Sequence, residues 1–314
     1  MNIRIVDLFA GIGGIRLGFE QAFGKENVDC VFSSEINKFA VETYKANFGE
    51  ENIYGDITKI DASGIPDHDV LLAGFPCQPY SNAGLHKSFD DPRANSFFEI
   101  ERILLKKKPK MFLLENVKHM RNIDGGRAFR TIKKHLNKAG YKVFHHILSG
   151  KDFGAPQNRE RLFIVGISDL KAYFEFPKPL NIPTKVGDIL EQNVDTKYTL
   201  SDKNWEYEQK RSHKNTGVNG FGCKVFNEQS PYTRTLLATN YENILIEQHG
   251  KNPRRLTVRE RARLQGFPDS FVMDKVSYSQ ACKQLGNSVC VPVVKAIAEQ
   301  MKNFMSFNFR GERV

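Results

Sequence analysis

The sequence predicts an α/β protein: a parallel sheet flanked by helices, joined to a smaller, mostly β or irregular domain. Short apolar runs alternate with amphipathic stretches through the first half of the chain, which is how β-α-β units read in sequence. A glycine-rich segment, Phe9–Gly14, stands between the first apolar run and the first amphipathic stretch. Near Phe176 the pattern stops. Pro177, Pro179 and Pro183 fall within seven residues there, and helices and central strands tolerate proline poorly.

Taken in order, Ile3–Phe9 reads as a strand, the glycine turn follows, and a helix runs through Phe23. Val28–Ser33 is a second strand and Asn37–Phe48 a second helix. Further strands are expected at Asp69–Ala73, Met111–Glu115, Tyr141–Leu148 and Arg161–Ile167, with helices over Asn95–Lys106 and Gly126–Ala139. From Phe176 to Arg254 the chain is polar and shows little periodicity. Regularity returns at Thr257-Val-Arg-Glu260, which has the form of a helix capping box. A last helix is expected from Pro292 to Met305, with Val293, Ile297 and Met301 on one face.

With 314 residues, 40% of them hydrophobic, the chain can bury a sizeable core, in about two domains. No apolar run approaches the ~20 residues that span a bilayer. The N-terminus reads as a first strand and not as a signal peptide, so a cytoplasmic protein is expected. Five cysteines without C-x-x-C spacing argue against a disulfide framework and against a structural zinc site. A net charge of +10 favours a polyanionic partner through counterion release.

Several segments have the residue types that chemistry needs. The glycines of Phe9–Gly14 let the backbone approach a ligand, and the helix that follows offers free N–H groups. An NAD-type fingerprint needs a third glycine where Arg16 stands, so the spacing is wrong for a dehydrogenase. Glu35, at the end of the second strand, can accept hydrogen bonds from ribose hydroxyls, and Asp56 is the next acidic residue at a strand end. A tight turn with solvated carboxylates is the alternative reading. Cys77 follows a strand, at the carboxyl edge where open α/β sheets bind ligands, and prolines on either side restrain its backbone. Most loop cysteines are inert, so the distinguishing signal is the surrounding octapeptide.

Glu115 ends another strand, either as a solvated cap or where burial can hold a carboxyl neutral for proton donation to a ring nitrogen. Arg159 and Arg161 stand two apart, which on a strand puts both guanidiniums on one face to fork-bind a carbonyl or phosphate. A surface ion-pair ladder is the other reading of that pair. Six basic residues and one acidic one lie between Lys251 and Arg263. Arg255, Arg259 and Arg263 recur at i, i+4, i+8, either as a helical stripe for phosphate or as a solvated face. Gly286-Asn287-Ser288-Val289 is a turn able to close a cofactor pocket.

In this order the segments resemble the C5-cytosine DNA methyltransferases. The resemblance runs through Asp-Leu-Phe-Ala-Gly-Ile-Gly-Gly (7–14), Gly-Phe-Pro-Cys-Gln-Pro-Tyr-Ser (74–81), Glu-Asn-Val (115–117) and Gln-Asn-Arg-Glu-Arg-Leu-Phe (157–163). It continues in the stretch 255–268 and in Gln-Leu-Gly-Asn-Ser-Val (284–289). It implies a Rossmann-like S-adenosylmethionine-dependent methyltransferase sheet over 1–177 and a target recognition domain over 178–253. A hinge over 254–281 and a segment over 282–314 that returns to the catalytic domain would complete the chain.

The resemblance implies S-adenosyl-L-methionine as cofactor. Phe9, Ala10, Gly11, Gly13 and Gly14 would line its pocket, with Glu35 on the ribose, Ile36 and Asp56 at the adenine, and Ile57 beside them. Pro76, Asn287 and Ser288 would close the site. Cys77 would attack C6 of a flipped cytosine, Glu115 would bond N3 and the amino group, and Arg159 and Arg161 would steady the base. Gln78, Ser81, Thr235, Leu236, Arg255 and Arg259 are the matching candidates for DNA contact. The segment from Asn219 to Ile246 is similar to the subgroup methylating CCWGG or related sites. The implied protein is a monomer without metal, acting on double-stranded DNA and paired with a restriction endonuclease of the same site. A transfer-RNA C5-cytosine methyltransferase and a catalytically silent DNA-binding regulator are the competing readings. The long polar domain favours DNA over RNA, and intact Cys77, Glu115, Arg159 and Arg161 favour an enzyme over a regulator.

Overall fold

The computed structural model describes residues 2–49, 52–76, 95–214, 223–238 and 243–308. The chain divides into two compact units. The first comprises 1–148, 160–178 and 293–314, and the second 149–159 and 179–292.

The first unit is built on a seven-stranded sheet. Its strands are β1 (Ile3–Leu8), β2 (Val28–Ser34), β3 (Ile53–Tyr54), β4 (Val70–Gly74), β5 (Met111–Val117), β6 (Lys142–Ser149) and β7 (Glu160–Ile167). They lie in the order β3-β2-β1-β4-β5-β7-β6. The order reverses between β1 and β4, and the crevice at such a switch point, outside the carboxyl ends of the strands, is where open α/β sheets bind ligands. Val70–Ala73 and Met111–Leu114 are buried on both faces, which is why they read as continuous apolar runs and not as alternating ones.

Helices α1 (Gly14–Phe23), α2 (Lys38–Phe48), α3 (Asn95–Lys107) and α4 (Arg127–Lys138) follow strands of this sheet, and α8 (Val291–Asn308) ends the described chain. The sequence-expected elements lie within two residues of these bounds, except that α8 runs three residues further. One expectation changes. The β-α-β pattern predicts parallel strands, whereas β7 runs antiparallel to β5, with Phe112 opposite Gly166 and Val117 opposite Arg161. Only the ten residues 150–159 separate β6 from β7, too few for the helical crossover that a parallel connection uses.

The second unit contains α5 (Asp202–Lys214), α6 (Val258–Leu264), α7 (Tyr278–Asn287) and a three-stranded sheet of β8 (Lys224–Phe226), β9 (Ile244–Gln248) and β10 (Lys251–Arg255). β9 pairs parallel with β8 and antiparallel with β10. The sequence reading missed α5 because Asp-Lys-Asn-Trp-Glu-Tyr-Glu-Gln-Lys has no apolar stripe of helical period. Glu260, fully buried, organises the unit. It takes both guanidinium nitrogens of Arg254 at 2.7 Å and the amides of Thr257 and Glu191 at 2.9 Å. The Thr257–Glu260 capping box is thus present, with its carboxylate shared by a buried arginine.

The expected arginine stripe does not form, because Thr257 caps α6 after Arg255 has already ended β10. The other two arginines of the series serve the unit itself. Arg259 donates to the carbonyls of Pro268 and Phe271, and Arg263 forks onto Asp269 at 2.7 Å. Among the described residues no helix is long and apolar enough to cross a membrane.

Gly166 gives a direct test of the β5–β7 register. A Cβ there would lie 2.0 Å from the ring of Phe112, which is itself fully buried. Gly166→Ala is expected to cost about 1–3 kcal/mol as overpacking, seen as a lower denaturant midpoint at constant slope. An unshifted midpoint would contradict the register.

Candidate active site

The glycine turn after β1 is held from beneath by β2. Ala10 donates its amide to the Ser34 carbonyl at 3.0 Å, and Phe9, Gly11 and Gly13 have φ of 54°, 57° and 82°. Gly13 requires glycine twice over, since its φ is left-handed and a Cβ would lie 2.2 Å from the Phe48 ring. Among the described residues nothing lies within 4 Å of the Cβ position at Gly11, which leaves its backbone open to a ligand from that side. The Glu35 carboxylate bridges two elements, accepting the Gly11 amide at 2.8 Å and the Asn37 amide at 2.7 Å. Asn37 then caps α2 through the amides of Phe39 and Ala40. Next to Glu35, the apolar side chain of Ile36 is 77% exposed.

Asp56 accepts the amide and hydroxyl of Thr58 at 3.0 and 2.8 Å. The Thr58 hydroxyl and then its amide hold the Asp56 carboxyl below its usual range. The turn that Asp56 caps contains the buried Ile57. Together, an open glycine backbone, an oriented carboxylate and an exposed aliphatic side chain fit a cofactor carrying a ribose and a purine.

Arg16, where a dehydrogenase would have glycine, binds Glu20 at 2.7 Å and the Tyr44 hydroxyl at 3.0 Å, and lies 4.3 Å from the Phe48 ring centroid. Tyr44 reaches Ser33 of β2 at 2.6 Å, so α1, α2 and β2 meet in one buried polar network behind the turn. The sequence reading used Arg16 only to exclude a dehydrogenase, and Tyr44 gave no signal among the apolar residues of its helix.

The second cluster stands at the ends of β4, β5 and β7. Glu115 is paired with Gly74 in register, and its carboxylate lies 3.7 Å from the Cβ position of that glycine. Arg161 lies diagonally across from Glu115 on the antiparallel strand and binds it at 3.1 Å, with both side chains at or below 15% exposure. The carboxyl is therefore oriented by a cation as well as enclosed. Asn116, 2% exposed, donates to the Phe75 carbonyl at 2.9 Å and so fixes the chain just before Pro76, which is exposed. Sequence reasoning gave Asn116 no role, although an amide ending the buried run Met-Phe-Leu-Leu-Glu-Asn was the available signal. Cys77, Gln78 and Ser81 lie outside the described residues.

The remaining site candidates belong to the second unit. Arg159 stops short of β7, and its guanidinium donates to the carbonyls of Leu236, Gly286 and Ser288. The shared strand face expected for Arg159 and Arg161 is thus not formed, because only Arg161 is in the strand. Leu236 is fully buried and Thr235 half-buried, its hydroxyl donating to the Asn158 carbonyl at 2.8 Å. Asn287 is the last residue of α7 and Ser288 follows it. Among the described residues no cluster of His, Cys, Asp or Glu is placed to hold a metal.

A sheet of this order, with one antiparallel strand and a glycine turn after β1, is Rossmann-like. Solved structures share this fold. The Entamoeba histolytica methyltransferase EhMeth superposes with a TM-score of 0.81 at 24% identity, covering 98% of this chain and 99% of that one. The S. pombe Dnmt2 methyltransferase gives 0.78 at 23% identity, covering 98% and 100%. Residues 3–303 match the C-5 cytosine-specific DNA methylase family, and the chain belongs to it. It is 57% identical over 307 residues to the Type II methyltransferase M.NlaX of Neisseria lactamica, covering 96% of this chain and 97% of that one. It is 48% identical over 322 residues to the Type II methyltransferase M.HaeII of Haemophilus aegyptius, covering 98% and 95%. Family membership implies a cofactor of the S-adenosylmethionine type and a DNA substrate.

Asp7 in β1 is 1% exposed, and neither carboxylate oxygen has a hydrogen-bond partner among the described residues. Burial pushes this carboxyl up to about 7; Arg16 opposes the shift, and Glu35 and Glu20 add to it. The folded protein therefore keeps a proton that the unfolded chain releases near 3.8, and stability falls as pH rises from there to about 7. Asp7→Asn is expected to raise Tm relative to the parent by a margin that is largest above pH 7 and vanishes below pH 4. Calorimetric scans across that range check it, and a pH-independent margin would remove Asp7 as the cause.

Proposed function

We propose that this protein transfers a methyl group from S-adenosyl-L-methionine to C5 of a cytosine flipped out of double-stranded DNA, through a covalent bond between Cys77 and C6. The observation that carries this reading is the enclosed Glu115–Arg161 pair beside Gly74, three residues before Cys77. When bound, the cofactor supplies an electrophilic methyl group. Cytosine C5 is too weak a nucleophile to take it unaided, so the chain must first change the base.

The Cys77 thiolate adds to C6 while Glu115 bonds N3 and the exocyclic amino group and delivers a proton to N3. The electron pair displaced from the C5–C6 bond makes C5 enamine-like, and C5 takes the methyl. A base then removes the C5 proton, the Cys77–C6 bond breaks to return the thiolate, and Glu115 takes back the N3 proton, which restores the neutral aromatic ring. Arg161 keeps the Glu115 carboxyl aimed at the base edge throughout. Base flipping is required because C5 and C6 are out of reach within a stacked duplex.

For the cofactor, the reading uses the backbone of Phe9, Ala10, Gly11, Gly13 and Gly14, with Glu35 on the ribose hydroxyls. Ile36 packs on the purine, Asp56 and Ile57 border it, and Pro76, Asn287 and Ser288 complete the set by resemblance. Gln78, Ser81, Thr235, Arg255 and Arg259 remain candidates for DNA contact. Leu236 supports that surface from within its unit. The Type II names of the relatives support a modification enzyme of a restriction-modification system. A partner endonuclease, a monomeric state and a CCWGG-like site belong to the same proposal and rest on the resemblance of the segment from Asn219 to Ile246 and of the chain as a whole.

Two measurements test this. With a duplex containing 5-fluorocytosine and cofactor, the protein is expected to form a denaturant-resistant adduct that Cys77→Ser abolishes. Glu115→Gln is expected to slow it about 100-fold or more, the scale of general acid catalysis. An adduct that survives Cys77→Ser would overturn the nucleophile. Bisulfite sequencing of DNA from cells expressing only this enzyme is expected to find 5-methylcytosine within CC-containing sites, and methylation confined to other sites would overturn the CCWGG-like assignment.

A further inference from the structure

Arg159 has a role that its place in the sequence does not suggest. It is 2% exposed, and its Nη1 donates to the Leu236 carbonyl at 2.9 Å. Its Nη2 donates to the Gly286 carbonyl at 2.9 Å and to the Ser288 carbonyl at 2.5 Å. The last two carbonyls belong to the carboxyl end of α7, a helix with no basic residue of its own in its final turn. A cation is favoured there, where peptide dipoles gather partial negative charge and end carbonyls lack helical partners. Arg159 supplies that cation from a distant segment, and its planar fork spans two separate pieces of backbone.

Three further observations tie the same pieces together. Gln157, fully buried, accepts the Leu236 amide at 2.7 Å, so both peptide groups flanking the Leu236 side chain are held from the segment 157–159. Gln265 donates to the Leu285 carbonyl at 2.8 Å, and Gln157 donates to the Leu264 carbonyl at 3.0 Å, which joins α6 to the same support. Gly286 touches the recognition segment directly, since a Cβ on it would lie 2.4 Å from backbone atoms of Leu237 and Ala238. These are backbone contacts and cannot be relieved by turning a side chain.

We infer that Arg159 is a positioning residue that locks the Thr235–Leu236 segment to the Gly286–Ser288 turn, so that binding of DNA and binding of cofactor are energetically coupled. The inference rests on the proposed function, which assigns the first segment to DNA and the second to the cofactor. A ligand that orders either segment orders the other through the shared guanidinium. Each ligand then tightens the other by the same factor.

The test measures DNA affinity with and without saturating S-adenosylhomocysteine, using a duplex that contains the site found by bisulfite sequencing. In the parent protein the cofactor product is expected to tighten DNA binding about fivefold or more, within the usual range of coupling between sites. Arg159→Lys keeps the charge but not the fork, and Gly286→Ala pushes the two segments apart. Each is expected to bring the factor to about twofold or less. Melting curves identify any variant that fails to fold, and the other then carries the test. A folded variant that retains the full factor, or a parent without coupling, overturns the inference. So does an Arg159→Lys protein that keeps both affinities and their coupling but loses single-turnover methyl transfer, because Arg159 would then act on the base. A parent that methylates no DNA would instead overturn the proposed function.

Discussion

The ion pair between Glu115 and Arg161 is the constraint on which the arrangement of the catalytic unit turns. It exists only because β7 runs against β5, which sets Arg161 diagonally across from Glu115 on one face of the sheet. In a fully parallel sheet the guanidinium would reach the edge from a different register. Removing one partner of so enclosed a pair leaves an uncompensated charge, at a cost of about 3–5 kcal/mol. The pair therefore depends on the short 150–159 connection and on the antiparallel strand that follows it. Asn116 extends the same logic by one residue, fixing the carbonyl of Phe75 just after β4.

The glycine turn follows a different design. It offers backbone, opened by glycines, and one carboxylate that is oriented by two amides. Stiffness comes from behind. Arg16, Glu20, Tyr44 and Ser33 join α1, α2 and β2 through short polar contacts, and Phe48 closes on Gly13. Asp7 sits in this region without a hydrogen-bond partner among the described residues, so the region also carries an electrostatic cost that grows once the carboxyl ionises.

Positive charge shows how far composition can mislead about location. The net charge of +10 is real, yet much of the arginine concentrated between Lys251 and Arg263 works inside the second unit. Arg254 is buried against Glu260, Arg259 holds two carbonyls and Arg263 forks onto Asp269. Arg159 likewise feeds three carbonyls. Guanidinium suits such posts because it keeps its charge when buried and offers several donors in one plane. An excess of basic residues thus predicts a polyanionic partner for the whole chain without saying which side chains meet it.

The sequence by itself determined the local elements and the chemical cast. Apolar runs and amphipathic stretches located β1, β2, β4 to β7 and α1 to α4 to within two residues, since burial of those runs is dictated by neighbours along the chain. Order and spacing of the motifs identified the family, and the resemblance named the glycine turn, Glu35, Cys77 and Glu115 as candidates within it. The mainly polar helix α5 and the short strands of the second unit escaped, because their stability comes from partners far away in sequence and leaves no periodic trace. Tertiary structure alone decided that β7 is antiparallel and that the helical arginine stripe does not exist. It also separated two arginines two residues apart, giving Arg161 to Glu115 and Arg159 to the end of α7. The ten-residue connection sets the direction of β7, and the cap at Thr257 leaves Arg255 outside α6. For the two arginines the reason is that a guanidinium takes whichever acceptor the fold brings within about 3 Å, a choice that belongs to the packing of distant segments.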